Sequence, residues 1–203
     1  LTEGNIGISA IGSPIGKIGI EDDFAPHFEK FKRAVEIAKK LHTTRIRMFS
    51  FYIPEGKNPE IYHDTVIERI QKMVDYGEAN GVHCCHENEK GIYGDNAARC
   101  LDLMKNFYGD HFKCTFDFAN FVQCKQDTLE AYELLKDYIT YVHIKDAQWD
   151  TGKVVPAGMG DGHVKEILTK LSESGYEGFL SLEPHLADFA AFKSLENNGS
   201  ALE

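Results

Sequence analysis

"GVHCCHENEK" (residues 81–90) packs two histidines, two adjacent cysteines and two glutamates into ten positions. Its first seven residues form a short run bounded by Gly81 and the polar Asn88-Glu89-Lys90, which reads as a buried strand. Side chains alternate along a strand, so His83, Cys85 and Glu87 share one face, and Val82, Cys84 and His86 share the other. His86 is expected to face a helix layer, and Asn88 and Glu89 to enter a loop. The two cysteines point apart, so they form neither a redox couple nor half of a zinc site. Glu87 stands at the carboxyl end of the strand and is the residue of this stretch expected to carry chemistry.

Both neighbours of this strand read as helices. The segment 58–81 offers Asn58 as a cap, Pro59 at the first helical position and Gly81 where a left-handed residue closes the helix. Residues 95–108 place Ala97, Leu101, Met104 and Tyr108 on one side. The same rhythm runs through the chain. Strands are expected at "NIGISAI" (5–11), "RIRMFSF" (45–51), "KCTFDF" (113–118), "ITYVHIK" (139–145) and "GFLSLE" (178–183). Helices are expected over 24–41, with Phe28, Phe31, Val35, Ala38 and Leu41 in one stripe, over 126–137, and over 162–174 before Gly175. Six strands alternating with five helices predict an α/β fold of parallel βα units with right-handed crossovers. An open doubly wound sheet and a (β/α) barrel both satisfy this pattern, and both put functional groups at the carboxyl ends of the strands. Neither GxGxxG nor GxxxxGK[ST] occurs.

Composition narrows the function. The 203 residues suit one domain, 1–203, and no apolar run approaches the roughly 18 residues of a membrane helix. A net charge of −10 with scattered Lys and Arg argues against nucleic acid as a partner. Five cysteines, an odd number without a CxxC pair, read as reduced and mostly buried in a cytoplasmic protein.

The last four strands end on Glu87, Asp117, His143 and Glu183. A buried carboxylate is costly unless it is paired, hydrogen-bonded or bound to a cation. Any one of these residues alone suits a helix cap or a satisfied core histidine. Four in succession point to one divalent metal ion, and the oxygen-rich set favours Mn, Mg or Co, with Zn also compatible. Lys145 and Asp146 either orient His143 or contact a hydroxyl, or form a solvated strand-end pair. His185 is open to ligand contact or loop packing. Ser13, Lys17 and Arg47 are expected at the mouth, Asp161 is expected to cap the helix that follows it, and His27, His42, His63 and His111 to face solvent.

"HENEKGIYGD" (86–95), "DFANFVQ" (117–123), "VHIKDA" (142–147), "PAGMGDGHV" (156–164) and "GYEGFLSLEPH" (175–185) together resemble the xylose isomerase-like TIM-barrel superfamily of sugar isomerases and epimerases. The resemblance implies that Glu87, Asp117, His143 and Glu183 hold the metal. It also implies that Glu87 and Glu183 shuttle a proton beside the carbonyl of a small-molecule sugar or keto-sugar, through an enediolate. Asn120 stands where many ketose epimerases have a substrate-contacting His, and with Lys145, His185, Lys17 and Arg47 it makes up the expected substrate-binding set. The same ligands serve an inosose-dehydratase-like lyase, whereas the endonuclease IV branch needs more histidine ligands and a basic face. Six of the eight βα units are expected, from the third strand onward, with the front units and the closing helix absent. Such an incomplete barrel is expected to be a fragment truncated at the N-terminus and before the last helix, to be completed or covered by another copy, or to be a catalytically silent relative that binds sugar or metal.

Overall fold

The computed structural model describes residues 2–183 and 185. Its main elements are β1 (Ile11–Gly12), α1 (Phe24–Lys40), β2 (Arg45–Met48), α2 (His63–Ala79), β3 (His83–Glu87), α3 (Ala97–Phe107), β4 (Phe112–Asp117), α4 (Phe118–Gln123), α5 (Thr128–Leu135), β5 (Ile139–Ile144), β6 (Asp146–Ala147), β7 (Val154–Val155), α6 (Val164–Glu173) and β8 (Phe179–Leu182). Six strands form one parallel sheet in the order β1-β2-β3-β4-β5-β8, and β6 pairs with β7 as a small antiparallel ladder.

The strand order follows the chain without a reversal, so there is no switch point of the kind that defines a doubly wound sheet. The sheet also curls. Flat, β2 and β8 would lie four strand spacings apart, about 19 Å. Instead the Arg45 guanidinium sits 4.9 Å from the centre of the Phe179 ring, and Ser9 Oγ lies 2.8 Å from Tyr141 Oη. The architecture is an open part of a (β/α) barrel, with six parallel strands around a concave interior.

The convex face carries the core. Ile46, Met48, Cys84, Phe116 and Val142 point outward and pack against Phe31, Val35, Ile70, Met73, Leu103 and Ile167 of the helices, all buried. Each such side chain contributes about 1.5–3 kcal/mol on leaving water. Cys84 and His86 face this layer, with Cys84 Sγ against the Met73 carbonyl and His86 Nε2 2.9 Å from Ser50 Oγ. Glu87 faces the interior, as the alternation of the strand requires.

Several boundaries depart from the sequence reading. The strand expected over 5–11 is reduced to Ile11–Gly12. The helix expected from Pro59 begins as a 3-10 turn over Pro59–Tyr62, capped by Asn58, before α2 proper. Phe118 leaves the expected strand to start α4, because the Asp117 side chain accepts from Asn120 N and caps a helix there. Leu41 and Tyr108, placed on apolar stripes, are exposed at the helix ends.

His27 is a correction of another kind. It is buried rather than solvent-facing, and its Nε2 accepts the Gly16 N–H at 2.7 Å. Gly16 has φ +88°, and a Cβ there would run into the Phe49 carbonyl. That close approach lets the loop after β1 lie along β2's continuation, with Phe49 N donating to Ile15 O and Phe51 N to Gly16 O.

Candidate metal centre

Adjacent parallel strands bring successive strand ends side by side. Asp117 of β4 pairs in register with His143 of β5, and Glu87, the last residue of β3, pairs with Thr115, two residues before Asp117 on the same face. Glu183 follows β8 directly, its N–H donating to the Ile144 carbonyl. These four residues offer ligand atoms that all lie within 4.8 Å of one another. Glu87 and Asp117 are almost fully buried, and His143 is only 7% exposed.

His143 Nδ1 is the hub, 3.0 Å from Glu87 Oε1, 3.3 Å from Glu183 Oε2 and 3.9 Å from Asp117 Oδ2. Two cations flank it. Arg47 Nη1 lies 2.8 Å from Glu87 Oε2 and 3.7 Å from Glu183 Oε1. Buried Lys145 places Nζ 3.0 Å from Asp117 Oδ2 and 3.7 Å from Glu183 Oε2. Asn120 Nδ2 donates to Glu87 Oε1 at 3.2 Å and to Asn88 O at 2.9 Å.

Burial works against every charge here, and the neighbours decide the outcome. Burial would lower the His143 imidazole, yet the facing Glu183 and Glu87 carboxylates push it up to about 10. Burial would raise Glu87 and Glu183, but His143 and the cations hold Glu87 below the usual carboxylate range and Glu183 at about 2. Asp117 behaves differently. Burial dominates and raises it to about 7 despite Lys145, and the Glu87 charge adds to the rise.

A divalent cation fits this donor set. Asp117 Oδ2 is buried without a hydrogen-bond partner, because Lys145 Nζ, though close, lies outside hydrogen-bond geometry. Such an orphaned oxygen beside two more carboxylates and an imidazole is the chemistry of a hard-metal site. Glu87, Asp117, His143 and Glu183 are the residues that can hold the ion.

The other expected site residues separate into two groups. Arg47, Lys145 and Asn120 meet the cluster directly. Lys17 stays at the rim, paired with Glu89 at 2.8 Å and set 4.2 Å over the Phe49 ring. His185 is exposed, with Nε2 3.7 Å from Glu183 Oε1. Ser13 is buried and donates to the Arg47 carbonyl, tying β1 to β2 rather than lining a mouth.

Asp146 is not a solvated partner of Lys145, and its carboxylate is committed to backbone N–H groups rather than to the cluster. It is buried and accepts four backbone N–H groups, from Ala147, Gly158, Gly160 and Gly162. Asp161 does not cap α6. It accepts the Trp149 N–H, and His163 is the N-cap residue. The alternating glycines of "GMGDG" (158–162) are the signal for the Asp146 cradle, since a Cβ on Gly160 would meet Asp146 Oδ1 and Ala147 O at 2.5 Å. Asn88 is a second residue missed in the sequence. It turns inward, is 2% exposed and bridges to the Asp117 backbone. A cavity of about 590 Å³ lies elsewhere, against α6 and Gly158, and no cluster residue lines it.

Comparison with known proteins agrees with this architecture. The chain is 25% identical over 162 residues to an uncharacterized protein of Methanocaldococcus jannaschii, matching 76% of this chain and 55% of that protein. A second protein of the same organism is 23% identical over 133 residues, 64% of this chain and 56% of its own length. The chain therefore spans about half the length of the curated relatives it matches. Among solved structures, the probable 3-DHS dehydratase AsbF of Bacillus anthracis superposes with a TM-score of 0.76 at 19% identity, over 97% of this chain and 78% of that one. A D-tagatose 3-epimerase-like protein superposes with a TM-score of 0.75 at 20% identity, with the same coverage of 97% and 78%. At such identities these likenesses establish the fold. The sequence pattern described as "Xylose isomerase-like TIM barrel" matches residues 1–199, and the chain belongs to that family.

Proposed function

We propose that this protein is a divalent-metal-dependent sugar isomerase or epimerase that moves a proton on a carbon next to a carbonyl. The observation that carries this reading is the convergence of Glu87, Asp117, His143 and Glu183 within 4.8 Å at the carboxyl ends of the strands. A bound ion, with Mn, Mg or Co favoured over Zn, supplies Lewis-acid charge for the oxygen that turns negative as the proton leaves.

The remaining chemistry belongs to side chains. Glu87 and Glu183 are the proton-transfer pair, and both are held ionised and able to accept a proton. Arg47 reaches both through Nη1 and keeps two like charges side by side at tolerable cost. Asn120 fixes one oxygen of Glu87, and Lys145 sits between Asp117 and Glu183. Lys17 and His185 stand at the rim, where sugar hydroxyls enter. The five free cysteines, four of them buried, support a reducing, cytoplasmic setting.

A lyase reading shares the first step and differs in its fate, since loss of a neighbouring hydroxyl replaces return of the proton. The fold likeness to a probable dehydratase supports keeping it as the second reading. Metal-loaded protein incubated in D2O with a panel of ketoses is expected to place deuterium on the carbon beside the carbonyl. An unsaturated product in place of exchange selects the lyase. Neither exchange nor elimination with any ketose, in protein of confirmed metal content, overturns both and leaves a binding role.

A further inference from the structure

Asn120 bonds to two of the candidate ligands at once, from two parts of the same residue. Its backbone N–H donates to Asp117 Oδ1 at 2.8 Å where α4 begins. Its side-chain Nδ2 donates to Glu87 Oε1 at 3.2 Å and to the Asn88 carbonyl at 2.9 Å. All three bonds are buried, and Asn120 is only 2% exposed. The acceptors around Nδ2 fix the orientation of the amide, since a reversed Oδ1 would face a carboxylate and a carbonyl. Two acceptors side by side also need two hydrogens on one atom, which an amide nitrogen carries and a hydroxyl or a ring nitrogen does not.

We propose that Asn120 is a positioning residue for the metal ion rather than a contact for the sugar. This rests on the metal-dependent reading above. The cap on Asp117 Oδ1 turns that carboxylate so that Oδ2, the oxygen without a hydrogen-bond partner, faces His143 at 3.9 Å. Glu87 is held at Oε1 by the amide and at Oε2 by Arg47 Nη1 at 2.8 Å, so its carboxylate cannot rotate without breaking one of the two bonds. The bond to the Asn88 carbonyl anchors the amide just past the end of β3, and Glu87 is thereby held against a fixed point. One residue of α4 thus sets a ligand on β3 and a ligand on β4. Ligands oriented in advance lose less freedom when an ion arrives, so ion affinity depends on the group that orients them. A side chain with both amide hydrogens placed and so little exposed surface has little to offer a sugar hydroxyl.

Titration of the substrate-free protein with Mn separates the two roles, because a residue that only touches sugar leaves ion affinity unchanged. Asn120→Leu keeps the approximate volume and removes the donors, whereas Asn120→Ala leaves room for a water molecule to donate in their place. Neither removes the backbone N–H that caps Asp117. Calorimetry is expected to show Asn120→Leu binding Mn about 10–100-fold more weakly, with a smaller loss in Asn120→Ala. The visible absorption of the Co-loaded protein is expected to shift in Asn120→Leu, since Glu87 then meets the ion in a different geometry. Mn affinity equal to that of the unsubstituted protein overturns the proposal, whatever happens to the melting temperature or to the binding of a ketose. A loss of affinity with an unchanged Co spectrum also overturns it, as the mark of a loosened fold rather than a displaced ligand. If Asn120→Leu fails to fold, the same two readings on Asn120→Ala decide. An unsubstituted protein that takes up no divalent ion overturns the metal reading and this inference together, whereas a loaded protein with unaffected variants overturns this inference only.

Discussion

Asn88 and Asp117 hold each other across two strands by a reciprocal bridge. Asn88 Nδ2 donates to the Asp117 carbonyl at 3.0 Å, and Asn88 Oδ1 accepts the Asp117 N–H at 3.0 Å. The bridge sets the height of the β4 end against the β3 end, and so sets where the Asp117 carboxylate stands relative to Glu87. Truncating Asn88 leaves two buried backbone groups unpaired, at about 1–3 kcal/mol each. Asn88→Ala is therefore expected to lower the melting temperature and to weaken divalent-ion binding by about 10–100-fold, although it removes no ligand. Calorimetric metal affinity equal to the unsubstituted protein's would show that the bridge does not position the site.

Removing the proton acceptors separates binding from turnover. Glu87→Gln and Glu183→Gln retain the shape of each side chain but neither accepts the substrate proton. Each is expected to reduce turnover by about 10²–10⁴-fold while part of the sugar affinity remains. Steady-state kinetics beside a binding isotherm reads the split, and near-normal turnover in either variant sinks the assignment.

Metal binding is expected to release protons. Without an ion, burial holds Asp117 at about 7, and the surrounding carboxylates hold His143 at about 10, so near neutral pH His143 carries a proton and Asp117 is partly protonated. The ligands must shed them, and the metal-free state therefore binds more protons than the loaded one. Affinity for Mg or Mn rises with pH from about 6 to 8, and a chelator lowers the melting temperature most at the alkaline end. Titration in buffers of different ionisation enthalpy counts the protons. Affinity independent of pH would contradict the protonated cluster.

His27 makes stability acid-sensitive. Burial, with the charges of Lys30 and Arg69, lowers its pKa below the ordinary 6.5, and its Nε2 must stay unprotonated to accept the Gly16 N–H. The unfolded chain binds this proton more readily than the folded one, so His27's contribution is full above pH 6.5 and lost as pH falls through the folded value. His27→Gln keeps an acceptor without a titrating ring and is expected to flatten this part of the stability–pH curve. Urea melts from pH 7 to 5 measure it, and an unchanged slope would remove His27 as its source.

The strand rhythm and the four strand-end residues are legible in the sequence because their signals are local. An apolar run that ends on a charge is costly, and alternation tells which side of the strand that charge takes. The strand over 5–11 reads stronger than it is because alternation says nothing of whether a neighbour is present to complete the ladder. The short α4 is hidden because Asp117 serves as a ligand candidate and as a helix cap at once.

What stays hidden depends on partners distant in the chain. Arg47 meets Glu87 across 40 residues, Asn88 meets Asp117 across 29, and Asp146 gathers glycines up to 16 residues on. His27 reads as a polar residue on a helix flank until the loop at Gly16 folds over it. By itself the sequence determined the parallel βα order and which ionisable residues stand at the strand ends, since hydrophobic period and the cost of buried charge act over a few residues. Only the tertiary structure decided between barrel and doubly wound sheet, and which cations and amides surround the carboxylates. Those depend on strand register and sheet curl, which arise when segments far apart in the chain exchange their hydrogen bonds.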